Sequence, residues 1–271
     1  MSSSPTQAPG PGQNPLYKSA PDLAPSIVFL VLFALVSVVF AYRSIVTRRQ
    51  PYYYLLAFTL LRTASYIARA IWSQDKGSIA DAIASGVISS GGFFLAAQSL
   101  FVLFTLWIES LYGGPDNVPT LERKCLKIVK LLLPLSSIIG IVGSVKQFNA
   151  SSPSDYDVGT ALRKASILGF TIILASLIAL TIMFAVKMKG KGHDKIPVVL
   201  IICTGSLLLL IEMIYRLDSI WSNPGDGVNT NKWVFYVFMS VPEFLFSVFM
   251  GVLNLVKIFY GVNDNEKGGN I

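Results

Sequence analysis

The sequence predicts an all-α protein in which seven transmembrane helices form a bundle, and three observations favour this fold class. First, 53% of the 271 residues are hydrophobic and only 14% are charged, whereas about 25% of the residues of a soluble domain are charged. Second, the apolar residues collect in seven blocks, most of which have about 20 residues, the length that crosses a hydrocarbon core of about 30 Å. Third, the connections between the blocks are short, so neighbouring helices are expected to pack antiparallel.

The chain divides into a tail, a membrane domain and a second tail. Residues 1–24 are rich in Pro, Ser and Gly and contain too little apolar surface to fold, so we expect a disordered tail without a cleavable signal peptide. The transmembrane domain is predicted over 25–260, and a short cytoplasmic tail over 261–271. The predicted helices are 25–43, 52–72, 81–112, 126–145, 165–187, 196–217 and 232–257.

The distribution of basic residues predicts the orientation of the bundle. The loops on one side, with the C-terminal end, hold 13 Lys and Arg residues, and the loops on the other side, with the N-terminal tail, hold 6. Because Lys and Arg concentrate in cytoplasmic loops, the N-terminus is predicted outside and the C-terminus in the cytoplasm. Asn149-Ala150-Ser151 is an N-glycosylation sequon and lies on the predicted outer side, which agrees with this orientation.

A few ionisable residues remain inside the predicted helices. A charged side chain in the membrane interior costs about 2.5–3.5 kcal/mol on insertion scales, so these residues are expected to pair or to line a polar cavity. They are the best candidates for a functional site, although ion pairs that only lock helices together are an equal alternative. The six residues are Arg62, Arg69, Glu109, Glu212, Arg216 and Glu243.

Depth along the helices predicts which charges meet. Arg62 lies about 16 Å from the inner end of the second helix at 1.5 Å per residue, and Glu243 lies at a similar depth in the seventh, so we predict an ion pair near the midplane. Glu212 and Arg216 are four residues apart and can pair within the sixth helix. With Arg69, they are expected to form a net-positive cluster in the outer half of the membrane.

Three further polar residues complete the predicted ligand or translocation path. Tyr66 falls between Arg62 and Arg69 on one helical face, Gln98 can hydrogen-bond across helices, and Tyr236 lies near Glu243 in the seventh helix. The predicted path therefore comprises Arg62, Tyr66, Arg69, Gln98, Glu212, Arg216, Tyr236 and Glu243.

The residue counts argue against several classes of protein. A single histidine, His193, cannot build a zinc site of several histidines, and it lies in a basic loop, away from any membrane pocket. Cys125 and Cys203 offer no disulfide framework. We therefore expect neither an enzyme nor a bound metal or cofactor. The net charge of +7 is explained by cytoplasmic loops, so no nucleic-acid partner is expected.

Two stretches resemble a known family. The segment from Arg62 to Arg69, with its Tyr-Ile-x-Arg element, is similar to a motif of the fungal lipid-translocating exporters linked to aminocholesterol resistance. A second similarity covers 212–218 and 232–238 and includes Pro242. The resemblance implies a seven-span fold and the export of lipid-like amphiphiles, or resistance to lipid stress.

A receptor-like sensor is the alternative function. It has the same number of spans and an outside N-terminus, although the third predicted helix lacks the Asp-Arg-Tyr sequence of the large receptor class, and the seventh lacks Asn-Pro-x-x-Tyr. For either function, the expected partners are the lipid bilayer and a lipid-like small molecule, in the plasma membrane or a membrane of the secretory pathway.

Overall fold

A computed structural model describes residues 22–74, 79–187, 196–221 and 232–260, and every regular element in these ranges is helical. Residues 1–21 of the predicted N-terminal tail, the predicted C-terminal tail and His193 lie outside the described residues. The first helix starts at Leu23, so the last residues assigned to the N-terminal tail belong to the bundle.

Six long helices are followed by a segmented C-terminal helix. The long helices are α1 (Leu23–Thr47), α2 (Gln50–Gln74), α3 (Ile79–Leu111), α4 (Thr120–Phe148), α5 (Pro153–Lys187) and α6 (Ile196–Trp221). The C-terminal segments are α7 (Lys232–Phe235), a π-helical stretch (Tyr236–Ser240), α8 (Val241–Val252) and the short α9 (Leu255–Tyr260).

Six helices in the described ranges are long and apolar enough to cross a membrane, which makes this a helical, multi-pass membrane protein. They comprise α1, most of α3, α4, α5, α6 and the continuous helix Trp233–Val252. The helix α2 differs from them in composition rather than length, because it has 25 residues but contains Arg62 and Arg69.

Two helices start well before the predicted spans. The helix α4 begins at Thr120 rather than 126, and α5 begins at Pro153 rather than 165. Just before α5, the Ser152 hydroxyl accepts a hydrogen bond from the Asp155 N–H at 3.2 Å, which is one of the two bonds of a capping box, and it donates one to the Asp155 carboxylate at 2.9 Å. Hydropathy marks only the part of a helix that is apolar, so it missed these polar first turns.

The helices close into a bundle around α3. Consecutive helices pack against each other, and α8 contacts both α6 and α1, while α3 also contacts α6 across the bundle. In the most apolar window of α3, 61% of the residues are buried, against 28% for α1. The helix α3 is therefore the central helix, and the side chains that face it form the interior.

The outer surface of the bundle is apolar and its interior contains small polar groups. On α1, Leu35 and Val38 are 62% and 68% exposed. The buried face of the same helix repeats every three or four residues, as a helix requires, and consists of Ser26, Phe29, Phe33, Ser37, Phe40 and Ser44. Exposed aliphatic side chains over a helix of this length fit a lipid environment.

The helices α4 and α5 approach each other through small residues. A methyl group on Gly143 would lie 2.8 Å from the Arg163 backbone nitrogen, and one on Gly159 would lie 2.6 Å from that of Gln147. The Ser166 hydroxyl donates to the backbone oxygen of Ser136 at 2.6 Å. Close packing of this kind holds membrane helices together, because lipid tails are as apolar as the helices and the hydrophobic effect does not drive their association.

Candidate functional site

An ion-pair network lies at the centre of the bundle. The Arg62 guanidinium on α2 contacts the Glu243 carboxylate on α8, and its Nη2 lies 3.6 Å from Oε1 of Glu212 on α6. The three side chains are at most 2% exposed. The predicted Arg62–Glu243 ion pair is thus present, and it joins helices that are distant in sequence.

The pair predicted within α6 belongs to the same network. Glu212 Oε1 accepts hydrogen bonds from Arg216 Nε at 2.8 Å, and it lies 2.7 Å from Arg216 Nη2. The Ser89 hydroxyl on α3 accepts from Arg62 Nη1 at 2.5 Å and from Arg216 Nη2 at 3.3 Å. We call Arg62, Ser89, Glu212, Arg216 and Glu243 the charge network. The sequence predicted a midplane pair and a separate outer cluster, whereas the structure connects them through Glu212 and Ser89.

Local structure explains how the charged groups come together. Glu243 lies in the first turn of α8, directly after the π-helical stretch and Pro242. The extra residue per turn of a π-helix changes which face the following residues occupy. On α3, Gly92 leaves room for the guanidinium, since a methyl group there would lie 3.4 Å from Arg62 Nε.

The charge network is balanced in charge but incomplete in hydrogen bonds. Two arginines and two glutamates give a net charge of zero, which lowers the cost of burying each ion. Within the described part of the chain, Oε2 of Glu212 and Oε2 of Glu243 accept no hydrogen bond. Buried carboxylate oxygens without donors are uncommon in folded proteins, so the network has capacity to bind a further polar group.

Arg69 does not join the charge network. Its Cζ lies 4.0 Å from the centre of the Phe235 ring and 5.9 Å from that of Tyr236, and no carboxylate in the described ranges forms a salt bridge with it. Arg69 is partly buried, and stacking on aromatic faces stabilises a guanidinium in such a position by about 0.5–2 kcal/mol. The Tyr236 hydroxyl lies 3.3 Å from the Ser26 hydroxyl, which links α1 to the π-helical stretch.

Tyr66 packs among aromatic rings. It is 3% exposed, and its ring stacks on those of Phe29 and Phe33 at centroid distances of 5.6 and 5.7 Å. The position of Tyr66 between Arg62 and Arg69, predicted from helical spacing, therefore brings an aromatic wall next to the charge network.

The remaining predicted polar residues lie apart from the network. Gln98 is 7% exposed on α3 and follows Ser89 by nine residues, which is about 13 Å along the axis. Glu109 lies near the end of α3 and forms no salt bridge within the described ranges. Asn149 is exposed at the C-terminal end of α4.

A cavity beside the charge network contains a residue that the sequence did not identify. Arg163 on α5 and Arg216 on α6 both line it. The predicted fifth helix began at 165, so Arg163 was assigned to a loop and counted with the outer basic residues. The capping box at Ser152 was the signal that could have extended the helix and placed Arg163 inside the bundle.

The described residues include no group of three or more His, Cys, Asp or Glu side chains placed to hold a metal ion. The site thus consists of paired arginines and glutamates with serine hydroxyls and aromatic walls. Guanidinium groups bind carboxylate and phosphate in a fixed geometry, so what this arrangement can do is to recognise charged groups inside an apolar shell.

Comparison with known proteins identifies a family without an assigned function. No curated protein and no solved structure matches the chain. A family model described as Domain of unknown function (DUF7702) matches residues 24–256, a range that contains the charge network and the cavity. The chain therefore belongs to the family Domain of unknown function (DUF7702).

Proposed function

We propose that this protein binds lipid-like amphiphiles inside the helical bundle and moves them across the membrane. The observation that carries the proposal is the charge network between α2, α3, α6 and α8, in which Arg62, Glu212 and Glu243 are buried and the Arg216 side chain is 17% exposed. Charged groups at this depth cost free energy, and in membrane proteins they commonly mark substrate pathways. We assign the protein a transport role and no catalytic one.

The composition of the interior supports an amphiphilic substrate. Arginine side chains offer charge to a polar head group, and the stacked, buried rings of Phe29, Phe33 and Tyr66 make the interior around them apolar. The similarity of the segment from Arg62 to Arg69 to the lipid-translocating exporters points to the same class of substrate. Export of such molecules would also confer resistance to lipid stress.

The proposal includes seven crossings, with α2 as the additional one. Its 25 residues span about 37 Å at 1.5 Å per residue, longer than a hydrocarbon core of about 30 Å. The contact of Arg62 with Glu243 offsets the charge that makes α2 less apolar than the others. We further propose that the N-terminus lies outside and the C-terminus in the cytoplasm, of the plasma membrane or a secretory-pathway membrane.

Efflux of a fluorescent phospholipid from cells tests transport. Cells that produce the protein are expected to lose the lipid faster than cells without it. Two variants are expected to reduce efflux to the background rate: Arg62→Ala and the double variant Arg62→Met/Glu243→Met. The double variant leaves no unpaired partner in this ion pair. Lys187→Gln is the matched control, because Lys187 is 56% exposed and pairs only at the surface, with Glu122.

Equal efflux with and without the protein would rule out the transport proposal. A receptor-like sensor would then be the better candidate, and one observation favours it. The π-helical stretch at Tyr236–Ser240 lies directly before Glu243, and π-helical turns interrupt the regular hydrogen bonding of a helix. A ligand that shifts this stretch would move Glu243 relative to Arg62.

A further inference from the structure

The cavity between α3, α4, α5 and α6 is separate from the contacts of the charge network, although it shares Arg216 with them. Arg163 and Arg216 line it together with the hydroxyl-bearing residues Ser90, Ser144 and Ser166. Its remaining walls are mostly apolar and include Phe93 and Phe170. Two guanidinium groups therefore line one cavity, and most of its other walls are apolar.

The charges around this cavity do not balance. Arg216 is neutralised by Glu212, whereas Arg163 donates to the neutral amide oxygen of Gln147 and forms no salt bridge with any described carboxylate. A guanidinium has five N–H donors, so four of those of Arg163 have no partner among the described residues. The cavity thus has an excess of positive charge and of donors.

The serine hydroxyls that line the cavity have no proton left to donate to a ligand. Ser90 donates to the Gly86 carbonyl at 3.0 Å, Ser144 to that of Gly140 at 2.9 Å, and Ser166 to that of Ser136 at 2.6 Å. Each hydroxyl proton is therefore already used within the protein. A ligand here is recognised by the guanidinium groups, which select for negative charge and for oxygens that can accept two parallel hydrogen bonds.

The size of the cavity limits the ligand to a compact group. Its volume is about 30 Å³, which is room for about two water molecules at 10–15 Å³ each, so only part of a phosphate group enters it. A hydrocarbon chain does not fit. Because the cavity is partly open, the rest of a larger molecule can extend from its mouth.

We propose that Arg163 and Arg216 form a binding site for a phosphate group, carried by a lipid head group or present as a free ion. The phosphate oxygens accept hydrogen bonds from both guanidinium groups, and the added negative charge offsets the uncompensated charge of Arg163. Only one part of this proposal rests on the proposed function, namely that a lipid supplies the phosphate. Binding itself does not require transport.

Binding to the purified full-length protein tests the site. The protein is held in micelles of dodecyl maltoside, a detergent that carries no phosphate, and the midpoint of thermal unfolding is followed during titration with inorganic phosphate, at an ionic strength kept constant with sodium chloride. A second arm adds phosphatidic acid to the micelles. A saturable rise of the midpoint is expected with at least one of the two probes.

Arg163→Gln and Lys164→Gln form a matched pair of variants. Both remove one positive charge, but the Lys164 ammonium lies 4.9 Å from the Trp221 ring and does not line the cavity. Because Arg163→Gln removes charge-assisted hydrogen bonds to the phosphate, it is expected to weaken binding at least about tenfold. Lys164→Gln is expected to bind like the unaltered protein. If Arg163→Gln does not fold, Arg163→Lys replaces it, and loss of the planar fork is expected to weaken binding several-fold.

The outcomes distinguish a lipid from free phosphate as the ligand, and they distinguish the phosphate site from the transport proposal. If only phosphatidic acid raises the midpoint in an Arg163-dependent way, the ligand is a lipid head group. If inorganic phosphate does so, a free phosphate ion is sufficient. No saturable effect with either probe, or equal weakening by Arg163→Gln and Lys164→Gln, would overturn the site. Binding that persists in a protein without lipid efflux would reject transport and leave the phosphate site in place.

Discussion

The Arg62 guanidinium contacts side chains from α3, α6 and α8 at once. Removing such an ion from water costs several kcal/mol, and good geometry with several partners is needed to offset that cost. The contact with Glu243 and the hydrogen bond to Ser89 supply those partners. At the scale of single residues, Arg62 therefore fixes how α2 packs against the rest of the bundle.

A double-mutant cycle on Arg62 and Glu243 is expected to show strong coupling. Arg62→Met leaves the Glu243 carboxylate buried with no cation in contact, and Glu243→Met removes one of the two carboxylates near Arg62. Each single change is expected to lower the free energy of unfolding by about 3–5 kcal/mol. The double variant is expected to lose less than the sum, because methionine fills the space without a charge. Denaturant unfolding in detergent measures all four proteins.

The surface ion pair Lys146–Asp155 is the control for this cycle. Its nitrogen and oxygen lie 3.4 Å apart, but the side chains are 44% and 39% exposed, so its coupling is expected to be much weaker than that of the buried pair. Additive losses at Arg62 and Glu243, like those at the control pair, would mean that the buried pair contributes no more than a surface contact.

Among the elements, α4 and α5 depend most directly on the size of individual residues. Their backbones approach at Gly143 and Gly159, where even a methyl group would meet backbone atoms at less than 3 Å. The same approach positions the start of α5, and with it Arg163, against the cavity. The geometry of the cavity therefore follows from the absence of side chains at two glycines.

Gly159→Ala is expected to destabilise the protein, opposite to the usual effect of alanine in a helix. Alanine is favoured over glycine in a helix interior by about 1 kcal/mol, but here the methyl group would lie 2.6 Å from the Gln147 nitrogen. Overpacking typically costs about 1–3 kcal/mol, and we expect it to dominate. The thermal unfolding midpoint should fall.

Gly91→Ala provides the comparison for that substitution. A methyl group on Gly91 would lie 3.6 Å from the end of the Leu61 side chain, an ordinary contact distance, so helix propensity should decide the sign and the midpoint should stay or rise. If Gly159→Ala leaves the midpoint unchanged or raises it, as is expected of Gly91→Ala, the close approach of α4 and α5 does not limit stability.

How far the sequence predicts this fold depends on the kind of helix. Hydropathy located the apolar helices, because long apolar segments have few alternatives in a membrane. It missed the starts of α4 and α5, where polar turns extend the helices, and this error removed Arg163 from the candidate site. The π-helical stretch before Glu243 leaves no hydropathy pattern from which it could be predicted.

At the scale of the whole molecule, part of the candidate site was predictable because charged residues are scarce inside the bundle. Inside an apolar bundle few partners are available, so depth alone identified Arg62 and Glu243 as a pair. Depth did not predict that Glu212 would contact Arg62 as well, because a long arginine side chain can bridge a difference in depth between two residues. Nor did it identify Ser89 as the bridge between two arginines, because serine is also a common packing residue in membrane helices.

The orientation of the whole bundle is tested with sequons at its two ends. Asn149 lies at the end of α4 near α5, and the exposed Asn117 lies at the opposite end, between α3 and α4. Pro119→Ser places an Asn-x-Ser sequon at Asn117, so the two sites report on opposite sides of the membrane.

If the N-terminus is outside, Asn149 is expected to carry a glycan that Asn149→Gln removes, and Asn117 is expected to carry none. Gel mobility before and after glycosidase treatment measures both, and an N-terminal epitope tag should be accessible on intact cells. A glycan on Asn117, or a protected tag together with an unmodified Asn149, would reverse the orientation and place the proposed phosphate site in the cytoplasmic half.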